Sequence, residues 1–233
     1  MKSIFLLIII TFFTPLSFLS AREETVVCIH GFLNTYRTMY SLKKVLRQDF
    51  CVYSWSYESR GKTLGESGAQ LVVALQQIAQ QRPGIPIYFA THSVGALVLR
   101  VALNDPACPQ EAKIGKAVLI GPPNQGSGFA RHFQDVWTIR MLVGDKTGRE
   151  MMTYTPEDME CLGSFPPSME VFVIAGSRGS HIWFTEPNDG FVTVRETMLL
   201  TPHFFATFPL THGALLRNRH VKCLIRKFFL FGC

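Results

Sequence analysis

Six short apolar runs punctuate this chain, at residues 25–29, 50–55, 87–91, 116–120, 171–175 and 203–208. They are rich in Val, Ile, Phe and Tyr, and several run straight into Gly or Pro. That is the pattern of strands buried on both faces of a parallel sheet. Between them the spacing changes. Residues 36–47 set Met39, Leu42, Val45 and Leu46 at helical intervals, and residues 66–80 spread Ala69, Val72, Val73, Leu75, Ile78 and Ala79 over an inner side. Arg82-Pro83-Gly84 stops that second helix. A third begins at Val94, directly after the 87–91 run, and another closes the chain. Strands alternating with helices predict an α/β fold around a mainly parallel sheet with right-handed crossovers. The 233 residues suit one such domain, over 22–233, with no internal repeat.

One stretch breaks the alternation. Residues 124–168 hold Gly126, Gly128, Gly144, Gly148 and Pro156 around apolar pieces such as 133–143. An insertion this long before the penultimate strand predicts extra helices over an edge of the sheet. They would serve as a lid, a pocket wall or plain packing.

The N-terminus has the form of an export signal. Lys2 precedes an almost wholly apolar segment at 4–19, and the small residues Ser20 and Ala21 follow. Leu19 fills a position where cleavage prefers a small side chain, so a retained anchor is the alternative. Residues 1–21 are therefore set apart from the fold, and the expected location is periplasmic or secreted. Export permits disulfides. Cys28 and Cys51 sit in strand-like runs and read as buried thiols, whereas Cys108, Cys161, Cys223 and Cys233 are the bridge candidates. No C-x-x-C pair occurs, so zinc spacing is absent. The net charge of +6 gathers near the end, at Arg217, Arg219, Lys222, Arg226 and Lys227. The first reading is the solvated face of a last helix, and the second is attraction to an anionic membrane surface. No nucleic-acid motif accompanies the charge.

The candidate chemistry lies where the third strand meets the third helix. Only His92 and Ser93 separate 87–91 from Val94, so Ser93 occupies a sharp, strained turn and projects from the end of the sheet. A serine before a helix also serves as an N-cap, and the pentapeptide alone leaves both readings open. Two further loops decide between them. Asp189 lies in Glu186-Pro187-Asn188-Asp189-Gly190, after the strand at 171–175, and His212 lies in Leu210-Thr211-His212-Gly213, after the last strand. A serine needs a base to remove its proton, and the base needs a carboxylate to orient it. Glu186 is the rival acid and His203 the rival base, although His203 falls at the start of a strand. His30 and His92 flank the expected site without a required chemical role. His132, His181 and His220 have no matching context.

The sequence Thr91-His92-Ser93-Val94-Gly95 resembles the G-x-S-x-G elbow of α/β-hydrolases, especially small bacterial lipases and esterases, with Thr91 in place of the first Gly. The order Ser93, Asp189, His212 matches theirs. His30-Gly31 resembles the lipase motif that precedes an oxyanion amide, which nominates Phe32 beside Val94. Residues Pro122 to Asn124 with Gly126-Ser127 look like the post-strand loop of small bacterial lipases. The resemblance implies an α/β-hydrolase fold and hydrolysis of an ester or lipid through an acyl-enzyme, with no metal or organic cofactor. Ser93 would attack, His212 would act as base and then acid, and Asp189 would hold the imidazole. Acyl transfer with the same three residues, and a silent scaffold used for binding, are the alternatives.

Overall fold

The computed structural model describes residues 24–182 and 184–232. The expected export segment and Cys233 lie outside them. Six strands form one sheet: β1 (Thr25–Ile29), β2 (Cys51–Trp55), β3 (Ile87–His92), β4 (Lys116–Ile120), β5 (Glu170–Gly176) and β6 (Phe204–Phe208). Their order across the sheet is β2-β1-β3-β4-β5-β6, and every pairing is parallel.

The order reverses once. The chain steps outward from β1 to β2, then returns past β1 to β3 and proceeds the other way. Because crossovers are right-handed, this reversal sends the helix after β1 to one face and the next two helices to the opposite face. Helix α1 (Tyr40–Leu46), preceded by a 3₁₀ turn at Tyr36–Met39, covers the first face with Leu42 and Leu46. Helices α2 (Leu64–Gln81) and α3 (Gly95–Asn104) cover the second with Leu71, Leu75, Leu97 and Val98. Strand residues alternate between the two cores. Val27, Ile29, Phe89 and Leu119 point to the α2–α3 side, and Val26, Cys28, Ala90 and Ile120 point to the α1 side. The reversal also leaves a crevice above the carboxyl ends of β1 and β3, where open α/β sheets bind ligands.

The insertion folds as four short helices: α4 (Gly128–His132), α5 (Trp137–Val143), α6 (Thr147–Thr153) and α7 (Pro156–Glu160). Polar contacts tie it to the α2–α3 side. The Arg60 guanidinium donates to the carbonyls of Leu142 and Met141 at 3.1 and 2.8 Å. The amide of Leu64 donates to Glu150 at 2.7 Å. Arg100, buried on α3, donates to the carbonyls of Gly163, Asn124 and Met159. Helix α5 lies outermost, with Trp137, Met141 and Leu142 about two-thirds exposed (68, 65 and 66%).

The C-terminal region departs from a single helix. Asn218 adopts an extended conformation (φ −66°, ψ 132°), and its side chain accepts from the amides of His220 and Val221. This cap ends α8 (His212–Arg217) and starts α9 (Arg219–Phe231). Arg217 therefore stands apart from the basic residues of α9. Of those, Arg226 is engaged with Asp49 at 2.5 and 2.7 Å rather than wholly solvated. Cys108, Cys161 and Cys223 are free thiols among the described residues, as are Cys28 and Cys51, which corrects the bridge reading for those three. Burial pushes the Cys28 thiol up to about 12. Among the described residues no helix is long and apolar enough to cross a membrane.

Candidate active site

Ser93 turns the chain from β3 into α3 with φ +54°, a left-handed conformation that costs a non-glycine residue about 1–2 kcal/mol. Neighbours hold it there. Its amide donates to the Ile120 carbonyl at 2.9 Å, and its carbonyl accepts from Ala96 at 3.0 Å. The helix must then pass hard against β1: a Cβ on Gly95 would stand 2.6 Å from the His30 carbonyl oxygen. Thr91, at the position where Gly is usual, is accommodated by turning its hydroxyl to the Val118 carbonyl, 3.4 Å away on β4.

Asp189 and His212 come together in the loops after β5 and β6. His212 Nδ1 lies 2.6 Å from Asp189 Oδ2. The other carboxylate oxygen accepts from the amides of Phe191 and Val192, both at 3.0 Å. The His212 amide also donates to the Asp189 carbonyl at 2.9 Å, so backbone and side chain fix the pair together. The Asp189 side chain is wholly buried and that of His212 is 12% exposed. A carboxylate at Nδ1 favours the tautomer that carries its proton there and leaves Nε2 a lone pair, the arrangement a general base requires. Ser93 and His212 line one cleft of 860 Å³.

The rival residues have other partners. Glu186 pairs with Arg195 at 3.1 Å near the surface. His203 caps the Thr201 carbonyl at 2.8 Å just before β6. His30 donates from Nδ1 to the Gly31 carbonyl at 2.8 Å, and its Nε2 accepts from the Tyr57 amide at 3.2 Å. Its ring stacks on Tyr57 at 4.6 Å, and burial holds its pKa below the usual value. The His92 ring packs against that of His212 with centroids 4.6 Å apart and planes tilted by 48°. Burial, reinforced by His212, lowers the His92 pKa to about 3, so this ring is neutral beside the site.

Phe32 and Val94 line the same cleft. Neither Phe32 N–H nor Val94 N–H donates to a protein group among the described residues. The loop carrying Phe32 is set by a left-handed Leu33 (φ +53°), whose amide donates to Ser59 Oγ at 2.9 Å. It runs so close to the elbow that a Cβ on Gly31 would come within 2.9 Å of Ser93 Cβ.

Three supporting residues were not legible as site residues. Gly121 follows β4 with φ +57°, and a Cβ there would press on His212 Cε1 and Nδ1 at 3.0 Å and on Asp189 Oδ2 at 3.1 Å. Glu196, nearly buried, accepts from Thr193 N at 2.9 Å and Thr193 Oγ1 at 3.1 Å with one oxygen, and from Gly128 N at 2.5 Å with the other. Ser127 Oγ donates to the Phe191 carbonyl at 2.8 Å. Together Glu196 and Ser127 bolt the Asp189 loop to the start of the insertion. The Thr193-x-x-Glu196 spacing is a capping-box signal that could have singled out Glu196.

The insertion and the acid loop give the cleft an apolar wall, with Phe129, Phe133, Ile139, Val143, Met151 and Phe191. Phe191 stands 5.6 Å from Phe129 and 5.3 Å from the His212 ring. Among the described residues no three His, Cys, Asp or Glu side chains gather as a metal site would require.

A single parallel sheet with helices on both faces, and a strained serine between its third strand and third helix, define the α/β-hydrolase fold, and this chain has it. Solved structures agree. The mature form of the Bacillus licheniformis lipase BlEst2 superposes with a TM-score of 0.68 at 16% identity, over 90% of this chain and 91% of that one. Phospholipase PlaB from Legionella pneumophila gives 0.67 at 15% identity, over 89% of this chain but only 59% of PlaB. Est1E from Butyrivibrio proteoclasticus gives 0.60 at 15% identity, over 90% and 88%. No protein-family model matches the sequence, and no curated protein does either. At such identities the likeness is one of fold.

Proposed function

We propose that this chain is a serine hydrolase that cleaves carboxylic esters through an acyl-enzyme. Ser93 attacks the ester carbonyl as His212 Nε2 takes its proton. The Phe32 and Val94 amides receive the oxyanion. His212 then protonates the departing alcohol and activates water for deacylation, while Asp189 holds the imidazole and stabilises its charged form. The observation that carries this reading is the His212–Asp189 pair, set at 2.6 Å with its carboxylate held by two amides, in the same cleft as a strained serine. A turn-forming aspartate would not need that partner.

The apolar wall supports esters of apolar acyl groups, because each buried CH₂ contributes roughly 0.8 kcal/mol. The exposed face of α5, with Trp137, Met141 and Leu142, supports work at a lipid surface more directly than the C-terminal helix does. The Lys2-led apolar segment supports an exported enzyme. The test is active-site labelling with an alkyl phosphonate and turnover of esters from acetyl to dodecanoyl. Ser93→Ala should abolish labelling and leave only a residual, about 10³-fold over water. Wild-type labelling and turnover in Ser93→Ala would sink the proposal. Product analysis with a competing alcohol separates hydrolysis from acyl transfer.

A further inference from the structure

The cleft around Ser93 has two unlike ends. Over the α2–α3 face lie the insertion residues Phe129, Phe133 and Met151. Over the α1 face lie Arg37, in the 3₁₀ turn before α1, and Arg217, at the end of α8. The two elements are joined where Ser41 Oγ donates to the Leu216 carbonyl at 3.0 Å, and both of those residues also line the cleft. The Arg217 guanidinium reaches back over the residue beside His212, since a Cβ on Gly213 would meet its Nη2 at 3.5 Å.

The charge is one-sided. Arg37 and Arg217 line the cleft, and among the described residues no Asp or Glu does. Neither arginine has a carboxylate partner among the described residues, whereas Arg131, Lys146, Arg195 and Arg226 each have one. Two exposed guanidinium groups with no carboxylate partner, beside Asn34, Thr38 and Ser41 at one end of a largely apolar cleft, suit an anion. Phosphate suits them best among common anions, because it presents several oxygens to planar, multi-donor groups.

We infer that the cleft selects esters with an apolar acyl chain and a phosphate-type anion on the alcohol side. This rests on the reading of Ser93 as nucleophile. The acyl chain lies along the insertion wall, the scissile carbonyl at Ser93, and the anionic alcohol between Arg37 and Arg217. Hydrolysis breaks the acyl C–O bond. The leaving alcohol takes its proton from His212, and water supplies the hydroxyl of the released fatty acid.

The test compares 1-decanoylglycerol with 1-decanoylglycerol 3-phosphate, each below its aggregation concentration, by kcat/KM. Exposed charge pairs contribute up to about 5-fold each, so the phosphate ester should be preferred by roughly 10-fold. Arg37→Gln with Arg217→Gln should bring the ratio near one, and Arg217→Lys should keep most of the preference in its own background. At about 1 M salt, where the Debye length is near 3 Å, the preference should shrink in the wild type. A wild-type ratio near one, with the neutral ester still cleaved, overturns the inference and leaves the ester-hydrolase reading standing. Cleavage of neither ester, or of any in an acyl series, removes both. Inorganic phosphate at matched concentration should leave neutral-ester turnover unchanged. Inhibition by it as strong as that by the phosphate ester would mean that the site takes a free anion, and the substrate assignment falls.

Discussion

Gly121→Ala tests the site through a residue that does no chemistry. The new methyl group meets two obstacles. The backbone there is left-handed, at φ +57°, which costs a residue with a Cβ about 1–2 kcal/mol. The methyl would also stand 3.0 Å from His212 Cε1 and Nδ1 and 3.1 Å from Asp189 Oδ2, tighter than ordinary contact by several tenths of an ångström. Asp189 has nowhere to retreat, because its carboxylate is buried and held by two amides. The imidazole must give way, and it can move only by straining its 2.6 Å bond to Asp189. Displacement of this kind costs about 10- to 100-fold in kcat/KM. Gly84→Ala is the control: its φ of +76° carries the same backbone penalty, but nothing lies within 4 Å of the new methyl. Gly84→Ala should lose about 1–2 kcal/mol of stability, a Tm drop of roughly 2–8 °C in a chain of this size, and Gly121→Ala at least as much. Only Gly121→Ala should lose activity. Hydrolysis of a p-nitrophenyl ester, phosphonate-labelling rates and thermal unfolding read the three quantities. A Gly121→Ala enzyme with wild-type kcat/KM would refute the argument that this glycine seats the His–Asp pair.

Asp189→Asn should fold, keep its partners at Phe191 and Val192, and lower kcat by up to about 10⁴-fold, because the amide favours the wrong imidazole tautomer; Glu186→Gln in parallel should be near wild type, and the opposite pattern would reassign the acid. His92 makes stability fall in acid. Its folded pKa, about 3, lies below the unfolded 6.5, so between these values the unfolded chain binds a proton that the native one refuses. Stability should then drop by about 1.4 kcal/mol per pH unit from this residue, with His30 adding in the same direction. Urea midpoints from pH 7 to pH 4 should show a shallower slope in His92→Gln, and equal slopes would contradict the linkage. Arg100→Met should leave the carbonyls of Gly163, Asn124 and Met159 without their buried donor, at about 1–3 kcal/mol for each group left unsatisfied. Limited proteolysis should then cut within 124–163 faster than in the wild type, and equal rates would show that Arg100 does not hold the insertion.

Much of this molecule is legible in its sequence. Strand positions follow from the local apolar runs, and each strand lies within a residue of its run. For the four central strands β1, β3, β4 and β5, burial on both faces leaves little freedom of composition, whereas the edge strands β2 and β6 are partly exposed and keep their apolar, β-favouring character all the same. The strained turn at Ser93 was legible for a similar reason: two residues cannot join a strand to a helix without it. Local pattern also marked Asp189 and His212, as polar residues in loops after apolar runs. What it could not supply was distance. The 2.6 Å bond between them depends on β5 and β6 being neighbours, which is a property of strand order. Gly121 acts through what packs against it from distant parts of the chain, and the Thr193-x-x-Glu196 spacing marks a local cap but not the bond from Gly128 that ties this loop to the insertion. Arg217 makes the point most sharply. By spacing it belongs to a basic helix face, but the Asn218 cap breaks the helix and the fold turns Arg217 into the cleft. Apolar periodicity is written residue by residue, whereas the environment of a charge is decided by whichever segments the tertiary structure brings beside it.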